Sequence, residues 1–155
     1  MSKSLTRVRT ALAEAGLTPE IAELGETRTA EQAAAAVGCA LDQIAKSIIF
    51  MGAETGRIHL FLTAGGNRVD AAKATTVAGE PMGKADATQI RAQTGFAIGG
   101  VAPLGHLTPC PGWCDPRLMD FDVVWAAAGT PRHVFPVQPA DLIRISGAQL
   151  TDFTS

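Results

Sequence analysis

Tyrosine is absent from the 155 residues, and aromatic residues make up only 5% of them. Two tryptophans and six phenylalanines remain, too few for a broad platform on which single-stranded nucleic acid could stack. Cysteine is equally scarce. Cys39, Cys110 and Cys114 cannot all pair within one chain, and their density is far below that of a disulfide scaffold. The Cys110–Cys114 spacing is one residue longer than the thioredoxin pattern. A zinc site needs about four ligands, whereas three cysteines and three histidines lie scattered along the chain, so neither a metal nor any other cofactor is expected. No stretch approaches the ~18 uninterrupted apolar residues of a membrane span. The first nine residues are charged and lack the apolar core of a signal peptide. A soluble cytoplasmic protein is the expectation, with no membrane partner. Thirteen basic residues against fifteen acidic give a net charge of −2, which offers no global attraction to nucleic acid. DNA is therefore not an expected partner, while a short local contact with an RNA end stays open, because counterion release depends on local contacts. The nucleotide loops Gly-x-x-x-x-Gly-Lys and Gly-x-Gly-x-x-Gly and the Gly-x-Ser-x-Gly elbow of serine hydrolases are also missing.

What is present is apolar enough to fold. Hydrophobic residues make up 46% of the chain, and no break in composition, repeat or long linker interrupts it, so residues 1–155 are read as one domain. Leu5, Val8, Ala11, Leu12 and Ala15 share one face of a helix over residues 4–15, with Gly16 as its stop. Thr29 and Gln32 have capping-box spacing ahead of an alanine run ended by Gly38. A second short helix is expected over 41–45. A hairpin follows, with strands over 47–51 and 57–63 and a further turn at 64–67. Helices are expected over 69–78 and from Asp86 to Gln93. Strands are read over 122–126, where Trp125 is expected in the core, and over 133–137, joined through Gly129-Thr130-Pro131. A proline-initiated helix covers 139–145, and a last strand is read over 150–153. Hairpins mixed with short helices define an α+β fold rather than a regular βαβ winding.

Three places could carry chemistry. Lys46 sits in Ile44-Ala45-Lys46-Ser47-Ile48-Ile49-Phe50, among apolar neighbours. An ammonium group there either snorkels to the surface or enters a cleft, where it needs a carboxylate, carbonyls or an anionic ligand. The stretch Gly99-Gly100-Val101-Ala102-Pro103-Leu104-Gly105-His106 combines glycines that let the backbone approach a ligand with a proline that stiffens the loop. An ordinary tight turn is the alternative. Gly129 and His133 flank a turn that either points polar groups into a cleft or simply starts a strand. Asp115 reads as a cap for the segment that follows Cys114. Arg68, Lys73 and Lys84 read as a solvated face, with local phosphate contacts as the alternative.

Taken in order, Thr29–Ala34 with Val37-Gly38, Gln43–Phe50, Gly99–His106, and Ala127–Thr130 followed by Pro139–Leu142 resemble the YbaK / prolyl-tRNA-synthetase-associated editing domain family across nearly the whole chain. The resemblance implies a curled mixed β-sheet surrounded by short helices, with a cleft between them. It also implies a freestanding trans-editing deacylase that hydrolyses the ester joining a wrong amino acid to tRNA, often tRNA-Pro. No covalent nucleophile is implied: water attacks, assisted by the terminal ribose hydroxyl. Lys46 is then the expected catalytic residue. Gly99, Gly100, Val101, Pro103, His106, Gly129 and His133 are the expected substrate-binding residues. The implied partners are the tRNA acceptor end and an aminoacyl-tRNA synthetase. Family members resembling cysteinyl-tRNA deacylases carry an acidic residue after the last glycine turn, where this chain reads Arg132-His133-Val134-Phe135, which argues against cysteinyl specificity. The rival reading is a module that binds the aminoacyl-adenosine end, or a synthetase, without turnover.

Overall fold

A computed structural model describes residues 2–155. The chain opens with helix α1 (Lys3–Glu14), whose first turn is capped by the Ser2 hydroxyl accepting from the Leu5 N–H. Leu5, Val8 and Leu12 form its buried stripe, as the periodicity requires. Strand β1 (Ala22–Glu23) leads to α2 (Ala30–Val37), where Thr29 caps the N-terminus and Gly38 closes the helix in the left-handed conformation. Strands β2 (Ile44–Gly52) and β3 (Ile58–Ala64) form the central hairpin. Helix α3 (Ala71–Ala78), β4 (Met82–Lys84), α4 (Ala87–Thr94) and β5 (Gly112–Cys114) follow. Next come β6 (Val124–Ala127), β7 (His133–Val137), α5 (Pro139–Ser146) and β8 (Gln149–Leu150). Among the described residues the fold is α+β, with five α-helices around one open, mixed sheet. None of the described helices is long and apolar enough to cross a membrane.

The sheet runs β1-β7-β6-β2-β3-β5-β8, with β4 attached to β2 off this path. Side chains alternate across it. From β2, Ala45, Ile49 and Met51 face the main core, which also holds α1 and the buried Phe96, Leu118, Phe135 and Leu142. On the opposite face Ile44 joins a small cluster under α2, while Ile48 and Phe50 join another around Phe61, Trp113 and Phe153. Lys46 belongs to this second face and lies between the two clusters.

The feature that shapes the site is the outer edge of β2. Its inner edge is paired with β3 from Ala45–Ala64 to Met51–Ile58. On the outer edge Ile44 and Ala45 pair in parallel with Trp125 and Ala126 of β6, whereas Phe50 to Gly52 pair antiparallel with β4. Between these attachments residues 46–49 have no strand neighbour on that side, and the sheet is split. The Gly99–Val101 loop lies against the opening, tied to β2 by the Ser47 hydroxyl, which donates to the Val101 carbonyl at 2.8 Å.

Several sequence expectations change for physical reasons. The helix expected over 41–45 is one 3₁₀ turn, Leu41–Gln43, because Ile44 and Ala45 are drawn into the sheet by β6. Lys46 is therefore the third residue of a strand rather than a helix–strand junction. The strand expected over 150–153 stops at Leu150, and Phe153 turns inward to meet the Phe61 ring edge-on at 4.9 Å. Strands β4 and β5 are three residues each, too short to show alternation in the sequence. Trp125 is half-buried rather than core, since its neighbour Val124 takes the inward position.

Candidate functional site

Lys46 emerges into the gap on the second face of the sheet. Its Nζ donates to the Gly65 carbonyl at 3.1 Å. Among the described residues no carboxylate lies within 4 Å of it, so one carbonyl is its sole protein partner and the other two N–H groups of the ammonium are uncommitted. The partnering turn, residues 64–67, is held on three sides. Asp42 Oδ1 accepts from the Gly66 N–H at 2.8 Å. The buried Asp115 accepts through Oδ2 from the Ala64 N–H at 3.1 Å and from Asn67 Nδ2 at 2.9 Å. A side chain on Gly65 would collide with the Leu41 carbonyl, so glycine is required for that approach. Asp115 also caps the following 3₁₀ helix by accepting from the Arg117 N–H at 2.9 Å, the role its position suggested. Asp42 is held below the usual carboxylate range, first by its bond to Arg117.

Ser47 beside Lys46 is not a nucleophile poised by a lysine. Successive strand residues point to opposite faces, and the Ser47 hydroxyl is committed to Val101. It fixes the glycine loop. Gly99 has φ +85°, a conformation that L side chains rarely adopt, and the Gly100 N–H closes the loop onto the Ala97 carbonyl at 3.0 Å. Gly100 packs so tightly on the β6–β7 turn that an added Cβ would lie 2.7 Å from Thr130 Cα. The two glycine loops are thereby locked together. In that turn Thr130 Oγ1 accepts from the Arg132 N–H at 3.1 Å and shares a 2.6 Å hydrogen bond with His133 Nδ1.

Together these elements enclose a cleft of about 320 Å³. Lys46, Gly99, Val101 and His133 line it. Gly100 and Gly129 shape it from behind: Gly100 through its contact with Thr130, and Gly129, at φ +99°, through close approach to the Ser4 carbonyl and Val8 on α1. Pro103 and His106 are elsewhere. They line a separate cavity of about 230 Å³ together with Leu60, Cys110 and Ser146. There His106 Nε2 meets the Ala102 carbonyl at 2.6 Å and Nδ1 meets Cys110 Sγ at 3.3 Å. Burial pushes the His106 pKa down and the Cys110 thiol up to about 11.

Arg28 at the rim and Trp125 on the wall were not among the expected site residues, and Thr130, inside the expected turn, stands behind His133. Arg28 carried a faint signal, since it directly precedes the capping threonine of α2. No aspartate or glutamate lines the cleft. In a chain of net charge −2, the charged side chains among the described residues that line this hollow, Lys46 and Arg28, are both cations. Such a site favours an anionic or carbonyl-rich ligand.

Residues 25–145 match the model of the aminoacyl-tRNA editing domain. The chain belongs to the aminoacyl-tRNA editing domain family. It is 31% identical over 144 residues to the uncharacterized protein YwhH of Bacillus subtilis (strain 168), a match spanning 92% of this chain and 91% of that one. It is also similar to a solved structure described as a "putative trans-editing enzyme for prolyl tRNA synthetase", at 45% identity and TM-score 0.93, with 100% of this chain and 99% of that chain covered. The structure of the hypothetical protein APE2540 superposes with TM-score 0.86 at 25% identity, over 96% of this chain and 99% of the other. The function carried by the fold is therefore aminoacyl-tRNA editing.

Proposed function

We propose that this protein is a trans-editing hydrolase, a freestanding single-domain deacylase that releases a small wrong amino acid from tRNA. By analogy with the similar solved structure, tRNA-Pro is the first candidate substrate and prolyl-tRNA synthetase the enzyme whose errors it corrects. The setting is the cytoplasm, where charged tRNA is used. The observation that carries the reading is Lys46, an ammonium group bound to one carbonyl and aimed into a cleft without a carboxylate.

An aminoacyl ester is already activated, so positioning and charge stabilisation suffice. Lys46 acts as a point charge on the ester carbonyl as negative charge develops there. One well-placed donor of this kind lowers a barrier by about 2.7–4 kcal/mol. Gly99 lets the loop backbone approach the acyl group, and the indole of Trp125 offers a flat wall to the terminal adenine. Water is the nucleophile, in line with the commitment of Ser47 to the loop. The neighbouring ribose hydroxyl of the substrate helps orient it, and the imidazole of His133, held by Thr130 on the cleft wall, relays a proton.

The test is a panel of tRNA-Pro charged with alanine, serine, threonine, cysteine or proline, incubated with the wild type and with Lys46→Ala. Release of one small non-cognate amino acid by the wild type, abolished in the variant, supports the reading. Hydrolysis of none above the buffer rate would refute it. Binding of the acceptor end without turnover would return the protein to the class of non-catalytic modules.

A further inference from the structure

Resting on the editing reading, we infer that Arg28 is a phosphate-binding residue, gripping the phosphodiester next to the terminal ribose while Lys46 works on the ester deeper in the same cleft. The backbone of Arg28 is fixed from two directions. Its N–H donates to Gln32 Oε1 at 2.7 Å, and the next residue, Thr29, accepts from the Gln32 N–H at 3.1 Å. This reciprocal cap pins the arginine at the start of α2, on the rim of the cleft. Its guanidinium, by contrast, has no hydrogen-bond or ion-pair partner among the described residues.

That distinguishes it from arginines the fold uses for itself. Arg117 bonds Asp42 and Asp120, each at 3.0 Å, and Arg144 bonds Asp141 at 3.1 Å. Arg132 takes up Glu26, the acidic residue nearest to Arg28 on its N-terminal side, at 3.9 Å. Arg28 is thus left as an exposed, unpaired cation over a cavity that lacks acidic residues. A planar guanidinium suits a phosphate, which it can meet through two parallel N–H bonds, whereas a lysine offers only a point charge. The division of labour follows from depth. The half-buried ammonium of Lys46 meets the acyl group, and the exposed arginine meets the backbone that leads out to the rest of the tRNA.

The inference is tested with two hydrolysis-resistant probes, 3′-alanylamino-3′-deoxyadenosine and the same compound bearing a 5′-phosphate. Binding to the wild type, Arg28→Ala, Arg28→Gln and Arg28→Lys is measured by calorimetry at low salt. The wild type is expected to prefer the phosphorylated probe by about tenfold. Arg28→Ala and Arg28→Gln should lose that preference while holding the unphosphorylated probe as before, and Arg28→Lys should keep part of it. An undiminished preference in the alanine and glutamine variants, or equal weakening of both probes, overturns the assignment. Turnover of mischarged tRNA is followed in parallel. Phosphate preference without turnover removes the editing reading but leaves Arg28 in place, whereas turnover with no phosphate preference does the reverse. A wild type that binds neither probe contradicts the assignment.

Discussion

Lys46 depends on residues that never touch it. The Gly65 carbonyl that accepts its hydrogen bond is placed by Asp115 and Asp42, which are distant in sequence and clamp the same turn. Replacing Asp115 by alanine leaves three buried or half-buried donors unpaired: the Ala64 and Arg117 N–H groups and Asn67 Nδ2. Each unpaired buried donor costs about 1–3 kcal/mol. Asp115→Ala should therefore lower Tm by on the order of 10 °C or more and reduce kcat through a displaced Lys46. Asp115→Asn, which keeps the shape and one acceptor, should recover part of both. An alanine variant with wild-type kcat would show that the turn does not position the lysine. The same contrast explains what the sequence disclosed. A lysine inside an apolar run stands out because burying its charge demands a partner. Arg28 and Trp125 show nothing comparable, for their significance arises only when the fold brings distant segments together. Proline and histidine at 103 and 106 looked equally loop-bound in the sequence, yet the chain there passes into a different cavity.

Among the elements, the split edge of β2 decides where a cleft can exist. The two glycine loops that close it meet at Gly100, where an added Cβ would lie 2.7 Å from backbone atoms of Thr130, which cannot move aside as a flexible side chain would. Gly100→Ala should cost about 1–3 kcal/mol. It should also raise KM more than Gly99→Ala, because it pushes the β6–β7 turn and His133 out of place. Equal kinetics for the two variants would count against the interlock. The hairpin, the capped helices and the α+β class could all be read from periodicity and caps, signals local in sequence. The shortest strands and the early start of β2 could not, since pairing with distant residues produces them. For Ile44 and Ala45 the partner is β6, some 80 residues away, and no window of local sequence contains it.

The whole molecule carries a pH signature outside the cleft. Burial depresses the pKa of His106 below its ordinary value near 6.5, so the folded state holds it neutral where the unfolded chain would protonate. A depressed pKa contributes stability that is fully present above about 6.5 and is lost as pH falls toward the folded value. Thermal unfolding should therefore show Tm declining between about pH 7 and pH 5, and His106→Gln should flatten that decline. An unchanged slope in the variant would assign the acid sensitivity to other groups. Because His106 stands in the second cavity, this change should leave KM for mischarged tRNA near the wild-type value. The molecule as a whole is weakly acidic, yet the charged side chains that line the cleft, Lys46 and Arg28, are both cationic. That local sign of charge is why the proposed substrate is one end of a tRNA rather than nucleic acid in general. The most direct test is the single-turnover rate of amino acid release from the best mischarged tRNA, compared between the wild type and Lys46→Ala of equal Tm. The account requires the variant to be slower by a factor of about 10²–10³, and a variant as fast as the wild type would contradict it.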